Sequence, residues 1–382
     1  MSDVVPAVFW ASALLLAYTY LGYPALVWLW ASLRARPERD ADGEPRVSVL
    51  IVGHNESSRI RARIQNLLAL DYPADRLEIL FGSDGSTDDT AEAAREFEPS
   101  GVIVIAFERR RGKAAVLNDL FAKARGEIVV CGDARQRFDV RALRALVGPF
   151  ADPRVGVVSG ELILTDGAGA RSVGAGVGFY WRYEKFIRRH ESRVDSVVGA
   201  TGAIYAARRA LVEPIPDDTV LDDVLIPLRI ARRGYRILFE PRARAYDRVA
   251  ATAREESTRK IRTIAGNFQL LVRERWLLSP WQNRLWLQTV SHKALRLATP
   301  LLHVAAFATN LALAASPLYR WTLAAQVLFY TAALAGYALR DCRRRVPLLS
   351  VPYVICLLAG TTIIGFVRFA TRRQHVTWDR AG

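Results

Sequence analysis

The chain has 382 residues, 51% of them hydrophobic and 24% charged, with a mean hydropathy of +0.09 and a net charge of +15. Values this high on both counts require apolar and charged residues to be segregated along the chain, and the length allows one good-sized domain with extra elements. Three widely spaced cysteines, Cys131, Cys342 and Cys356, exclude a disulfide framework and a cysteine-based zinc site.

The positive charge is concentrated in arginines beside apolar stretches: Arg34, Arg36 and Arg39, then Arg340 and Arg343, Arg344 and Arg345. That placement points to membrane orientation, and no basic motif interleaved with stacking aromatics speaks for nucleic acid. Residues 5–33 are uncharged and longer than the ~20 residues that a bilayer span needs. The run lacks a basic n-region and is too long for a secretory signal. The arginines that follow it place what comes next in the cytoplasm.

From residue 46 to 276 the pattern alternates between strands and helices. Val47–Val52 reads as a buried strand, and Ile60, Ile64, Leu67 and Leu68 recur at helical spacing before Asp71-Tyr72-Pro73. Glu78–Phe81 is the second strand, with a helix after Ser86-Thr87 that runs to about Phe97. Val102–Ala106, a helix over Gly112–Ala124 and the strand Glu127–Cys131 complete the rhythm. It predicts a mostly parallel sheet with helices on both faces. Asp84 and Asp133 fall at the carboxyl ends of strands, the edge at which open α/β sheets bind ligands. Cys131 reads as strand core.

Residues 280–296 mix Trp281, Leu285 and Trp286 with Arg284, His292, Lys293 and Arg296, which predicts an amphipathic helix in the membrane interface. Apolar runs at 297–316, 318–339 and 346–369 are each near spanning length. The cluster Arg343–Arg345 fits a cytosolic loop, whereas Arg368, Arg372 and Arg373 put positive charge at an end that simple alternation would place outside.

The motifs between these segments have a known order. Val47–Val52 leading into His54-Asn55-Glu56, then Ser83-Asp84-Gly85-Ser86-Thr87-Asp88-Asp89-Thr90, resembles the opening of family-2 glycosyltransferases of the GT-A fold. Arg111-Gly112-Lys113 with Asn118, Asp133-Ala134-Arg135 and Leu221-Asp222-Asp223-Val224 follow in that family's order. The likeness spans roughly residues 46–276, and the flanking apolar segments resemble those of the polysaccharide-synthase branch. The resemblance implies an inverting transferase with a Rossmann-like GT-A domain in the cytosol, one N-terminal and about three C-terminal transmembrane helices, and a place in the inner membrane.

It also implies roles. Asp84, Asn55 and Glu56 would face the nucleoside of a nucleotide sugar, for which a UDP-sugar is expected, and Lys113 would reach towards the nucleotide. Asp133 matches the first carboxylate of the Asp-X-Asp element that holds Mg²⁺ or Mn²⁺ on the diphosphate, since hard cations take oxygen ligands. The third position is Arg135, so either Asp133 holds the metal with phosphate and water, or Arg135 supplies the charge itself. Asp223, supported by Asp222, would be the base that takes the proton of the acceptor hydroxyl; an acidic pair at a helix start is the ordinary alternative.

Arg259-Lys260-Ile261-Arg262-Thr263 stands where processive members carry Gln-X-X-Arg-Trp. Arg262 would stabilise the leaving diphosphate, while Arg259 and Thr263 replace the Gln and the Trp. Trp181 and Tyr183 offer faces for an acceptor sugar or pack the domain. The expected partners are the nucleotide sugar, a glycan or lipid-linked acceptor, the bilayer, and an oligomer or export partner. Transfer of a single sugar to a polyprenyl-phosphate or lipid is the closest alternative, and a catalytically silent export subunit the alternative of another class. A Rossmann dehydrogenase lacks its Gly-X-Gly-X-X-Gly after the first strand.

Overall fold

The computed structural model describes residues 3–34, 43–165, 174–248, 253–339 and 347–374. Arg36, Arg39, Arg340, Cys342 and the cluster Arg343–Arg345 lie outside the described residues. The chain divides into an α/β unit of Arg34–Gly167, Glu191–Val249 and His375–Gly382, and a helical unit of Met1–Leu33, Ala168–His190 and Ala250–Gln374.

In the α/β unit an eight-stranded sheet is built from β1 (Val47–Gly53), β2 (Leu77–Asp84), β3 (Val102–Phe107), β4 (Ile128–Asp133), β5 (Arg137–Phe138), β6 (Val155–Thr165), β7 (Tyr205–Arg208) and β8 (Arg236–Arg248). Its order is β3-β2-β1-β4-β7-β6-β8-β5. The first four strands pair in parallel and are joined by the helices Ser57–Leu68, Thr90–Arg95 and Lys113–Lys123, as the periodicity predicts. The second half departs from that expectation. β7 runs antiparallel to both β4 and β6, β5 is antiparallel to β8, and only β6 and β8 pair in parallel, so the whole sheet is mixed.

β1 is apolar at nearly every position because it lies mid-sheet and is covered on both faces; all seven of its residues are buried. Val49 and Ile51 pack with Ile60, Ile64 and Leu67 of the following helix in one core with Phe81, Val130 and Phe138. Each such side chain contributes about 1.5–3 kcal/mol through burial. This core fixes the carboxyl ends of β1, β2 and β4, where the candidate motifs lie.

In the helical unit, Val4–Arg34 is continuous through a π-helical turn at Tyr18–Gly22. Among the described residues, this helix and Leu348–Ala370 are long and apolar enough to cross a membrane. The runs expected at 297–316 and 318–339 form the helices Leu295–Ala312 and Pro317–Ala338. The helix expected over 280–296 begins only at Trp286. Pro280 lacks an amide hydrogen, and the buried Asn283 takes backbone groups into a turn instead. Its Nδ2 donates to the Leu277 carbonyl at 2.8 Å, and its Oδ1 accepts the Leu285 N–H at 2.9 Å. From Trp286 the helix passes through a second π-helical segment, Thr289–Ala294, into Leu295–Ala312. The two π segments touch, with Tyr18 Oη 2.8 Å from Ser291 Oγ.

Candidate active site

Two loops at the carboxyl ends of β1 and β2 are tied together by side chains. Asn55 adopts a left-handed conformation (φ 55°), its amide N–H donates to Ser86 Oγ at 3.1 Å, and its Oδ1 accepts the Thr87 N–H at 2.8 Å. The N–H of Glu56 donates to Thr90 Oγ1 at 2.7 Å, and His54 Nδ1 lies 2.7 Å from the Asp84 carbonyl. The Glu56 carboxylate is 3.5 Å from Arg59. Gly85 is required between these contacts: it has φ +59°, and a Cβ there would fall 2.3 Å from the Arg110 nitrogen.

Asp84 is fully buried, and both its carboxylate oxygens are engaged. Oδ1 accepts the N–H of Arg111 at 2.6 Å and Oδ2 that of Gly112 at 2.9 Å. The carboxylate thereby fixes the turn that starts the helix Lys113–Lys123. Asp84→Ala is expected to cost about 2–4 kcal/mol by stranding one buried and one part-buried donor. A denaturant titration of the purified protein checks this, with Asp84→Asn falling between the two.

The acidic motifs converge on Lys113. Its ammonium lies 3.1 Å from Asp133 Oδ1 at the end of β4 and 3.2 Å from Asp222 Oδ2 at the start of the helix Asp222–Arg232. Burial opposes its charge, but Asp133, Asp222 and Asp223 outweigh that and hold the ammonium protonated well above the ordinary lysine range. Asp222 is buried, whereas Asp223 is partly open and Asp133 is about one-third exposed (32%). The Asp223 carbonyl accepts the Ala200 N–H at 2.8 Å, and a Cβ on Gly202 would lie 3.1 Å from Asp223 Oδ2. Gly202 therefore keeps a side chain off the Asp223 carboxylate, while Gly199 faces Val224. Burial pushes the thiol of Cys131 up to about 12, so it is strand core and no nucleophile.

Among the neighbours of these motifs, Asp247, Gln136, Arg63 and Asn66 were not legible in the sequence. Arg135 is ion-paired at 3.0 Å to Asp247 at the end of β8, which also accepts from Gln136 Nε2 at 3.0 Å. Arg63 is buried beneath the end of β4, its guanidinium 3.9 Å from the Phe138 ring centroid and 3.1 Å from Asn66 Oδ1. Asn66 in turn accepts the Phe138 N–H and donates to its carbonyl, which closes the Asp133–Phe138 turn. Asn118, part of the third motif, binds the backbone of Ile215 on both sides and so holds the approach to Asp222.

The remaining candidates belong to the helical unit. Arg259 is ion-paired with Glu255 one turn earlier, and Arg262 is half-buried on the same helix, Ala253–Arg273. The Tyr183 hydroxyl donates to the Tyr20 carbonyl at 3.0 Å, and Trp181 packs edge-on to Tyr180. Tyr183 thus has an internal structural partner.

Residues 48–214 match the family described as Glycosyl transferase family 2, the stretch that carries β1, β2, β4, Asp84, Lys113 and Asp133. These residues are a family 2 glycosyltransferase domain. The chain is 27% identical over 248 residues to a poly-β-1,6-N-acetyl-D-glucosamine synthase of Staphylococcus aureus, covering 64% of this chain and 60% of that protein. It is 28% identical over 241 residues to the probable glycosyltransferase YdaM of Bacillus subtilis, covering 58% of this chain and 55% of that one. The chain therefore spans less than two thirds of the length of these relatives. Among solved structures it is similar to the mannosyltransferase PcManGT of Pyrobaculum calidifontis in complex with GDP-Man and Mn²⁺. That likeness has 25% identity and a TM-score of 0.72, covering 97% of this chain and 99% of that one. The Asp222-Asp223 pair lies beyond the matched family segment.

Proposed function

We propose that the glycosyltransferase transfers a sugar, with inversion, from a nucleotide sugar to a glycan or lipid-linked acceptor at the membrane. The observation that carries this is the meeting of Asp133, Lys113 and Asp222 at one end of the sheet, with Asp223 beside them. In this reading the loops of Asn55, Glu56 and Asp84 shape the nucleoside pocket, Asp84 by fixing the Arg111–Lys113 turn. Lys113 and Asp133 meet the diphosphate, and Asp223 accepts the proton of the attacking hydroxyl while Asp222 holds Lys113 in place.

Among the described residues no three His, Cys, Asp or Glu side chains form a preformed metal cage. The partly exposed Asp133 would suit a single-carboxylate site for Mg²⁺ or Mn²⁺, with diphosphate and water supplying the remaining oxygens. Asp133 would hold the ion, which when bound would neutralise the charge of the leaving diphosphate. Arg135 serves in this reading to balance Asp247, its observed partner. Arg259 and Arg262 are assigned to the leaving diphosphate, and Trp181 and Tyr183 to the acceptor, by their positions in sequence. With one apolar helix near each end of the chain, the enzyme is assigned to the inner membrane as a multi-pass protein with its α/β unit in the cytosol.

Transfer of a single sugar is the second reading, favoured by Arg259 and Thr263 standing where a processive enzyme has Gln and Trp. The deciding experiment measures nucleotide release by detergent-purified protein from a panel of UDP- and GDP-sugars with Mg²⁺, Mn²⁺ or EDTA. Metal-dependent release from one donor is expected, and product size separates one added sugar from a polymer. Failure to bind or hydrolyse any nucleotide sugar would overturn the proposal in favour of a silent subunit.

A further inference from the structure

The Lys113 side chain is 14% exposed and closed between carboxylates from β4 and from the helix Asp222–Arg232. An ammonium has three donors and no acceptor, so it can serve both carboxylates at once. Without a cation there, Asp133, Asp222 and Asp223 would repel one another in a partly desolvated site, where charge interactions are strong.

We propose that Lys113 is the resident cation of this site before a nucleotide binds, closing Asp133 onto Asp222, and that a metal-bound diphosphate would enter by displacing its ammonium from Asp133. The proposal rests on the reading of Asp133 as the donor-side carboxylate. A divalent ion on Asp133 competes with Lys113 for the same oxygen and is repelled by its charge. A diphosphate changes this balance because its oxygens give the displaced ammonium a new partner. Metal alone therefore binds weakly, metal with nucleotide binds strongly, and Lys113 is the residue that couples them.

The test is Mn²⁺ binding to the full-length protein in detergent, followed by the spin-resonance signal of free Mn²⁺, with no nucleotide and then with UDP or GDP. K113M is expected to bind Mn²⁺ at least about tenfold more tightly than wild type without nucleotide. K113Q should act in the same direction, and K113R, which keeps the charge, should stay weak. The gain should vanish when D133N is added, and the extra affinity conferred by nucleotide should shrink in K113M. Unchanged or weaker Mn²⁺ affinity in K113M and K113Q, a gain that survives D133N, or no Mn²⁺ binding by any form would overturn the proposal. Turnover of a sugar nucleotide without the K113M gain would refute the resident cation alone, whereas the gain without turnover of any donor would refute the transferase reading alone.

Discussion

Asp223→Asn is expected to lower sugar transfer by about 10²–10⁴-fold while donor affinity stays within about twofold. The two members of the acidic pair differ in their surroundings, and that difference is the basis of the roles proposed for them. Asp222 is buried and ion-paired with Lys113, so its charge is already committed. Asp223 is partly open, and its Oδ2 lies against the loop at Gly202, where an added Cβ would crowd it at 3.1 Å. A carboxamide keeps the shape of the side chain but cannot take a proton. Initial rates with saturating donor and acceptor measure the loss, and calorimetry of donor binding shows whether the site is intact. Asp222→Asn should behave differently and raise the donor KM as well, because it frees one side of Lys113. A near-normal rate for Asp223→Asn would place the base elsewhere.

The first half of the sheet was legible because its strands obey simple rules. Val47–Gly53 and Ile128–Asp133 are short, mostly apolar runs ending in Gly53 and Asp133, and the helix that follows the first keeps a clear 3.6-residue period. The second half hides its strands. β8 reads Arg-Ile-Leu-Phe-Glu-Pro-Arg-Ala-Arg-Ala-Tyr-Asp-Arg, and its charges are accommodated only through tertiary partners, as where buried Arg236 donates to the Asp195 carbonyl at 3.0 Å. β7 is only four residues long, too short for a periodic signal, yet it joins the two halves through antiparallel pairs.

The same distinction applies to the site. Asp84, Lys113, Asp133 and Asp222 stand in motifs, and the structure brings the last three together through Lys113. What the motifs could not convey was which contact each side chain makes. Asp84 spends its oxygens on two backbone donors, and Asn118 holds Ile215. Asp247, the partner of Arg135, lies 111 residues from neighbouring Gln136, to which it also bonds. A charge pair of that separation leaves no local pattern, so the meaning of Arg in the third position of Asp-Ala-Arg emerges only from the fold.

Glu184→Gln is expected to destabilise the helical unit by about 3–5 kcal/mol, the second large effect. Glu184 has 14% of its side chain exposed and is paired with His292 at 3.0 Å and with Arg296, whose guanidinium also lies 5.5 Å from the Tyr183 ring centroid. Removing the carboxylate charge leaves the Arg296 cation, only 22% exposed, without its counter-ion, which costs more than the pair contributes. A compensating Arg296→Gln in the same chain should therefore recover part of the loss. Burial pushes the Glu184 carboxyl up, but Arg296 and His292 outweigh it and hold it well below the ordinary carboxylate range. A depressed folded value means that the pair's stability is fully present above the unfolded value of about 4.3 and is lost as pH falls through the folded one. Thermal unfolding in detergent from pH 7 to below 4 should show the midpoint of the wild type converging on that of Glu184→Gln only at the acid end. A difference that stayed constant across that range would mean that packing, and not charge, holds this contact.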